Sequence, residues 1–144
     1  MDAAQKMINE KIGTVYVIYV DMNNLKIIND RYGHEEGDYS LKLIADVLWK
    51  TVEGRGIAGR IGGDEFACAL IYEKEDEGES VLQEIYHQFY LHNQSNDKPY
   101  NVTVSAGACK VDEDSDLTLQ HALTQADERL YRVKMLRSKD VAKE

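Results

Sequence analysis

The pattern of apolar and polar positions along the chain predicts a mixed arrangement of strands and helices. Residues 14–20 are β-branched or aromatic throughout, which is typical of a buried central strand. Similar short runs predict further strands at 57–61, 66–72 and 101–110. Apolar residues at helical spacing predict helices near 24–31, 79–92 and 117–137, and another that begins at Asp38 as its N-cap, with Leu41, Ile44, Ala45, Leu48 and Val52 on its inner face.

The order of these elements predicts an α+β fold of the ferredoxin-like, palm type. Its core is a βαββαβ antiparallel sheet with helices on its faces, and a C-terminal helix follows. The 144 residues fit one domain, and no internal repeat, low-complexity tract or linker divides them. We therefore expect a single domain over residues 1–144.

The composition is that of a globular protein, with 43% hydrophobic and 30% charged residues. No apolar run approaches the roughly 18 residues of a membrane-spanning helix, and the N-terminus lacks a signal peptide. We expect a cytoplasmic location and no membrane contact. Cys68 and Cys109 both fall in predicted strands, where buried, reduced thiols are the expectation.

The formal net charge of −9, without a basic stripe, argues against a nucleic-acid surface. An acidic protein that binds a nucleoside triphosphate must neutralise the phosphates locally. That requires a divalent metal ion and a few well-placed lysine or arginine residues.

The predicted topology brings acidic residues together at one edge of the sheet. Asp21 ends the first strand, Asp64 and Glu65 open the third, and these two strands are neighbours in a ferredoxin-like sheet. Their oxygen ligands suit Mg²⁺ or Mn²⁺ and not zinc. Gly62 and Gly63 remove side-chain bulk and permit positive φ, so a substrate can approach the hairpin; an ordinary hairpin turn is the alternative explanation.

The polar segment after the first strand offers groups for a nucleotide. Backbone N–H groups in a loop that enters a helix can bind phosphates, and Lys26 adds positive charge. Asn29 and Asp38 offer polar edges that complement guanine, whose N–H donors suit a carboxylate. For Asp38 the role of a simple helix N-cap remains open.

Four stretches in the expected order and spacing resemble the motifs of GGDEF domains, the catalytic domains of diguanylate cyclases. These are Asp21 to Asp38, Gly62-Gly63-Asp64-Glu65-Phe66, Val104 to Ala108, and Ala126 to Lys134. The likeness extends from about residue 12 to residue 137. It implies condensation of two GTP molecules into cyclic di-GMP, with release of pyrophosphate.

The resemblance also implies roles for individual residues. Asp21 and Asp64, helped by the Met22 carbonyl, would coordinate two Mg²⁺ ions, and Glu65 would support the metal or activate the attacking 3′-hydroxyl. Asn29 and Asp38 would recognise guanine. The triphosphate would be bound by the backbone of Asn24 and Leu25 and by the side chains of Lys26 and Lys134, and Arg60 would add positive charge. The substrate would also contact the hairpin glycines Gly62 and Gly63. Two domains, each with one GTP, would face each other as a homodimer.

The sequence also departs from the family pattern. Glu53 and Gly56 replace the Arg and Asp of the inhibitory product site, which we therefore expect to be absent. Ser138 replaces a phosphate-contacting arginine, and Arg137 or Lys139 could compensate. The opening motif of the family is missing, which suggests a fragment of a longer protein with an upstream sensory segment.

Two other functions remain open on the sequence alone. One is a catalytically inactive GGDEF domain that binds GTP and regulates a neighbouring domain. The other is a different palm-type nucleotidyl transferase or purine cyclase, against which the guanine-recognising pair Asn29 and Asp38 argues.

Overall fold

The computed structural model describes residues 13–72, 77–112 and 116–136. Within these ranges the chain forms eight elements in the order β-α-α-β-β-α-β-α. They are β1 (Thr14–Met22), α1 (Leu25–Tyr32), α2 (His34–Val52), β2 (Gly56–Arg60), β3 (Glu65–Tyr72), α3 (Glu77–Ser95), β4 (Val104–Val111) and α4 (Leu119–Met135).

The strands form one antiparallel sheet in the order β2-β3-β1-β4, with β1 at its centre between β3 and β4. This order confirms the predicted ferredoxin-like α+β fold. Central strand β1 is apolar on both faces because helices cover both sides of the sheet. Successive residues of β1 therefore point alternately toward two separate parts of the core.

The larger part of the core lies between the sheet and helices α2 and α3. It includes Tyr16, Ile18, Val20, Ile28, Ile44, Leu48, Phe66, Leu70, Ile85 and Phe89. The smaller part lies under α4 and consists of Val15, Val17, Ala69, Cys109, Val111, Leu119, Ala122 and Ala126. Small residues bring α4 close to the sheet: a Cβ on Gly107 would lie 2.1 Å from the Ala126 carbonyl oxygen.

Several details of the predicted helix α2 are wrong. The helix begins at His34 with Gly33 as its N-cap, so Asp38 lies inside the helix and does not cap it. Gly33 has a φ of 100° and its N–H donates to the Asn29 carbonyl, which ends α1 and sets the start of α2. Ala45 is exposed, whereas Leu41, Ile44, Leu48 and Val52 are buried as predicted.

The two hairpin glycines do not adopt the positive φ that their sequence permits. A type I′ turn requires positive φ at both central residues, so the ordinary hairpin turn of that type is excluded here.

Both cysteines are buried and neither forms a disulfide, as predicted. Burial raises the pKa of the Cys68 thiol to about 12, which keeps it protonated and unreactive. Across the described ranges, no helix has both the length and the apolar character to span a lipid bilayer.

Candidate active site

The end of β1 and the start of β3 bring three carboxylates together. Asp21 is paired with Glu65 across the two strands, and the Met22 N–H donates to the Asp64 carbonyl oxygen at 2.9 Å. One carboxylate oxygen from each of Asp21, Asp64 and Glu65 lies within 4.8 Å of the others. The structure thus places together the acidic residues whose convergence the topology predicted.

Asp21 is buried and only partly satisfied. Its Oδ2 accepts a hydrogen bond from Lys134 Nζ at 2.7 Å. Its Oδ1 is also buried but has no hydrogen-bond partner among the described residues. Burial raises the pKa of Asp21 from 3.8 to about 6; Lys134 opposes this rise and the neighbouring charge of Asp64 adds to it.

This acidic cluster fits a divalent cation. Three carboxylates supply the hard oxygen ligands that Mg²⁺ and Mn²⁺ prefer. The buried Asp21 Oδ1 without a partner is the kind of atom that an unseen ion would complete.

Glu65 has a partner that the sequence analysis did not anticipate. The Tyr19 hydroxyl donates to Glu65 Oε2 at 2.9 Å, although 46 residues separate the two along the chain. Burial and the adjacent Glu65 carboxylate raise the pKa of Tyr19 far above its ordinary value, so the hydroxyl remains a donor.

A buried polar network holds the segment that follows Asp21. The Asn23 side chain accepts a hydrogen bond from Ser105 Oγ at 2.8 Å and donates to Thr103 Oγ1 at 3.2 Å. The Asn23 N–H donates to the Thr103 carbonyl at 2.9 Å. Asn23 and Ser105 are both buried, so this network fixes the backbone of Asp21 and Met22 against β4.

The N-terminus of α1 follows the end of β1 directly, and its first backbone donors have no side-chain cap within the described structure. Asn24 is the N-cap with a φ of 62°, and its side chain makes no capping hydrogen bond. The N–H groups of Leu25 and Lys26 therefore lack both an intrahelical acceptor and a cap, as in anion-binding helix termini. The Lys26 side chain is exposed on the first turn of this helix.

The Asn29 amide lies beside Gly37, the residue that precedes Asp38 on α2. The Asn29 Oδ1 atom is buried and has no hydrogen-bond partner within the described part of the chain. A Cβ on Gly37 would lie 1.8 Å from that atom, so the Asn29 amide keeps this position only beside a glycine. Asp38, the next residue of α2, is exposed, which leaves its carboxylate accessible. The glycine was missed as a functional residue, and its position between Asn29 and Asp38 in the motif was the available signal.

Arg60 supports the turn between β2 and β3. Its guanidinium donates to the carbonyls of Gly62 at 3.0 Å and Gly63 at 2.5 Å. A Cβ on Gly62 would lie 3.3 Å from Glu65 Oε2, whereas a Cβ on Gly63 would meet nothing within 4 Å. Arg60 thus stabilises the turn, and the phosphate-binding role expected of it stays a prediction.

Glu53 and Gly56, which replace the Arg and Asp of the inhibitory product site, have different surroundings. Glu53 is the exposed C-cap of α2. A Cβ on Gly56 would lie 2.0 Å from the Ala69 carbonyl, so β3 leaves no space for a side chain there. Arg137, Ser138 and Lys139 lie outside the described residues.

Comparison with known proteins supports the resemblance to GGDEF domains that the sequence motifs indicate. A family model described as "Diguanylate cyclase, GGDEF domain" matches residues 2–139. The chain is 32% identical over 133 residues to the diguanylate cyclase DgcS of Shewanella oneidensis, with 86% of this chain and 40% of that protein covered. It is 29% identical over 126 residues to the diguanylate cyclase DgcP of Escherichia coli, with coverages of 87% and 37%. The chain therefore spans less than half the length of these curated relatives.

The solved structures show the same fold. The GGDEF domain of DgcB from Caulobacter crescentus, solved in complex with c-di-GMP, matches with a TM-score of 0.79 at 25% identity. The match covers 98% of this chain and 84% of that one. With the family model matching nearly the whole chain, the resemblance seen in the motifs is confirmed: this chain belongs to the GGDEF family of diguanylate cyclase domains.

Proposed function

We propose that this GGDEF domain is an active diguanylate cyclase that condenses two GTP molecules into cyclic di-GMP. One observation carries the proposal: a cluster of three carboxylates lies where β1 ends and the uncapped N-terminus of α1 follows, and its buried Asp21 Oδ1 has no partner among the residues the structure describes. A carboxylate cluster suits a divalent cation, and an uncapped helix terminus suits phosphate. A nucleoside triphosphate bound with its metal ion satisfies both.

The acidic cluster would hold the metal through Asp21 and Asp64, with the Met22 carbonyl as a further ligand and the Glu65 carboxylate in support. A bound Mg²⁺ or Mn²⁺ ion would neutralise phosphate charge and stabilise the charge that develops during phosphoryl transfer. The N–H groups at the start of α1, together with Lys26, would bind phosphate oxygens. Lys134 is already at the site through its hydrogen bond to Asp21 and would add a second positive charge.

Guanine recognition is proposed for Asn29 and Asp38. The Asn29 Oδ1 atom is a buried acceptor that the described part of the protein leaves unsatisfied, and a donor on a purine edge can complete it. Asp38 does not cap its helix, so its exposed carboxylate is available to accept N–H groups of guanine. Adenine lacks the donor pattern that a carboxylate accepts, so the pair would favour GTP over ATP.

The reaction requires two such domains that face each other, each with one GTP. In each half-reaction the 3′-oxygen of one GTP forms a bond to the α-phosphorus of the other. The bond from that phosphorus to the pyrophosphate oxygen breaks, and Glu65 is the candidate acceptor of the hydroxyl proton. Two half-reactions give one cyclic di-GMP and two pyrophosphates. Homodimerisation and an upstream sensory domain also belong to this proposal. Membership of the GGDEF family is what supports them.

The test is GTP turnover with Mg²⁺ at high protein concentration, with chromatographic identification of the products. We expect cyclic di-GMP and pyrophosphate, and no submicromolar inhibition by product because Glu53 and Gly56 replace the inhibitory residues. GTP binding without product, even after fusion to a dimerising coiled coil, would overturn the proposal in favour of a regulatory GTP-binding domain.

The choice of nucleotide is tested separately with ATP and the variant Asp38→Ala. We expect the wild-type domain to discriminate against ATP and the variant to lose most of that discrimination. Equal binding of ATP and GTP by the wild type would indicate a different palm-type nucleotidyl transferase.

A further inference from the structure

We propose that Tyr19 is a positioning residue that holds the Glu65 carboxylate in its working orientation. The inference rests on the proposed function, because Glu65 matters only if the acidic cluster binds metal and substrate. Tyr19 lies outside the motifs that carry the family resemblance, and nothing in those motifs assigns it a role.

The sheet register places the two residues side by side. Residues two apart on a strand share a face, so Tyr19 and Asp21 of β1 point to the same side of the sheet. Glu65 of β3 is paired with Asp21, which makes Tyr19 its diagonal neighbour across the two strands. The resulting hydrogen bond from the Tyr19 hydroxyl to Glu65 Oε2 measures 2.9 Å.

The same carboxylate lies beside the turn between β2 and β3. A Cβ on Gly62 would lie 3.3 Å from Glu65 Oε2, so the oxygen that Tyr19 binds also lies close to the turn backbone. A carboxylate has several acceptor positions, and one hydrogen bond to Oε2 leaves the others for a metal ion or a substrate hydroxyl. Tyr19 therefore fixes the orientation of Glu65 without using up its capacity to bind.

The hydroxyl and the ring of Tyr19 make different contacts, which one substitution can separate. The ring packs against the apolar cluster under α4, to which Val17 and Ala122 belong. Phenylalanine can keep this packing, so the substitution Tyr19→Phe removes little except the hydrogen bond to Glu65. A glutamate side chain has three rotatable bonds, and loss of the bond lets Glu65 sample orientations in which it cannot act.

The experiment compares Tyr19→Phe with the matched control Tyr86→Phe. Tyr86 is also partly buried, and its hydroxyl bonds to the backbone of Ala106, with the Ala106 N–H donating at 2.9 Å. At saturating Mg²⁺, we expect Tyr19→Phe to lower kcat about tenfold and to change the KM for GTP less than twofold, because Glu65 is not assigned to nucleotide binding. Tyr86→Phe should lower the Tm and leave kcat unchanged.

A second measurement does not depend on turnover. Mn²⁺ affinity, measured by electron paramagnetic resonance, should fall several-fold in Tyr19→Phe relative to wild type. In the Glu65→Gln background the same tyrosine substitution should have no further effect, since the carboxylate through which it acts is gone. An equal loss in both backgrounds would mean that Tyr19 acts on the fold in general, and would overturn the proposal.

The outcomes also separate this inference from the proposed function. A wild-type domain that makes cyclic di-GMP, with Tyr19→Phe unchanged in both kcat and Mn²⁺ affinity, would overturn the role of Tyr19 alone. A wild-type domain that makes no product even as a forced dimer would overturn the proposed function. In that case the Mn²⁺ measurement still decides whether Tyr19 positions Glu65.

Discussion

Two acidic groups in this domain, one of three carboxylates and one of a single carboxylate, have opposite surroundings. At the edge formed by β1 and β3, Asp21, Asp64 and Glu65 crowd together, and Asp21 Oδ1 has no partner in the described structure. At the start of α2, by contrast, the single carboxylate of Glu36 is paired with both a cation and a hydroxyl. Asp21 and Glu36 belong to the same sequence motif, whereas Asp64 and Glu65 belong to the next one.

Glu36 is at the centre of a satisfied network. Its Oε1 accepts hydrogen bonds from Lys98 Nζ at 2.8 Å and from the Tyr100 hydroxyl at 2.7 Å. These hydrogen bonds lower the pKa of Glu36, with Lys98 as the largest cause. Tyr100 is buried and its ring lies 5.1 Å from that of Tyr32, so the network ties α1 and α2 to the loop before β4.

The difference distinguishes a group that stabilises the fold from one that is kept for a ligand. Glu36 is better stabilised as a carboxylate in the folded protein than in water, whereas burial and Asp64 make ionised Asp21 unfavourable. Unfavourable burial of charge persists in proteins chiefly where function requires it. We therefore expect substitutions in the two groups to act on different properties.

The largest effect is expected for Asp64→Ala. Removal of one of three clustered carboxylates should lower turnover more than about a hundredfold, because the remaining acids cannot neutralise the phosphates through a metal ion. The fold should persist, since the Asp64 contact to Met22 uses its backbone carbonyl. Metal-free stability should not fall, because the like charge beside Asp21 is removed. Kinetics and thermal unfolding without metal measure the two properties.

The matched comparison is Glu36→Gln, which should leave turnover within about twofold of wild type. Activity of Asp64→Ala close to that of the wild-type protein would contradict the metal assignment. A joint loss of activity and stability in Asp64→Ala would instead assign Asp64 to the fold.

The next effect in size concerns Gly37→Ala. An alanine Cβ would lie 1.8 Å from Asn29 Oδ1, so the Asn29 side chain must move while the helix itself accepts alanine readily. We expect GTP affinity to fall about ten- to a hundredfold, with little change in Tm. Gly59→Ala is the control, because a Cβ there meets nothing within 4 Å. Calorimetric GTP affinity unchanged by Gly37→Ala would contradict the role of Asn29.

The sequence predicted the acidic edge because its placement follows from topology. A β-branched run that ends at Asp21 and a hairpin that opens at Asp64 define two neighbouring strands, and strand pairing then brings their ends together. The free N–H groups at the start of α1 were predictable for a similar reason, since every helix leaves its first donors unpaired.

Contacts that depend on tertiary packing were not predictable. Tyr19 had the pattern of a core residue, and only the register shows its hydroxyl at Glu65. Asn23 meets Ser105 across 82 residues, with no local signal. Asp38 has the residue type of an N-cap, but the positive φ of Gly33 starts the helix earlier and overrides that preference.

A smaller effect should appear in the pH dependence of the acidic edge. The pKa of Asp21 is raised from 3.8 to about 6, so between these values the folded, metal-free protein holds a proton that the unfolded chain does not. Stability without metal should therefore fall as the pH rises through this window. Metal affinity should rise with pH up to about 6 and then level off, by about tenfold per unit below that pKa.

The control for this pH dependence is Asp21→Asn, which cannot titrate. The difference in unfolding free energy between wild type and variant isolates Asp21 from other carboxylates, such as Glu36, that act with the opposite sign. Mn²⁺ titrations between pH 5 and 8 measure the affinity of the wild type. A wild-type affinity that is flat across that range would show that Asp21 is ionised throughout.

The smallest effect is expected for Glu36→Gln, and it should fall on stability alone. The pKa of Glu36 is lowered from its ordinary value of 4.5, so its contribution is fully present above that value and is lost as the pH falls through the lower folded-state pKa. Wild type should therefore have a slightly higher Tm than the variant at neutral pH, and the difference should vanish in acid. It should also shrink at high salt, because Lys98 and Glu36 are both partly exposed. A loss of GTP turnover in this variant, at unchanged Tm, would show that the satisfied carboxylate serves the reaction as well, and the distinction between the two acidic groups would fail.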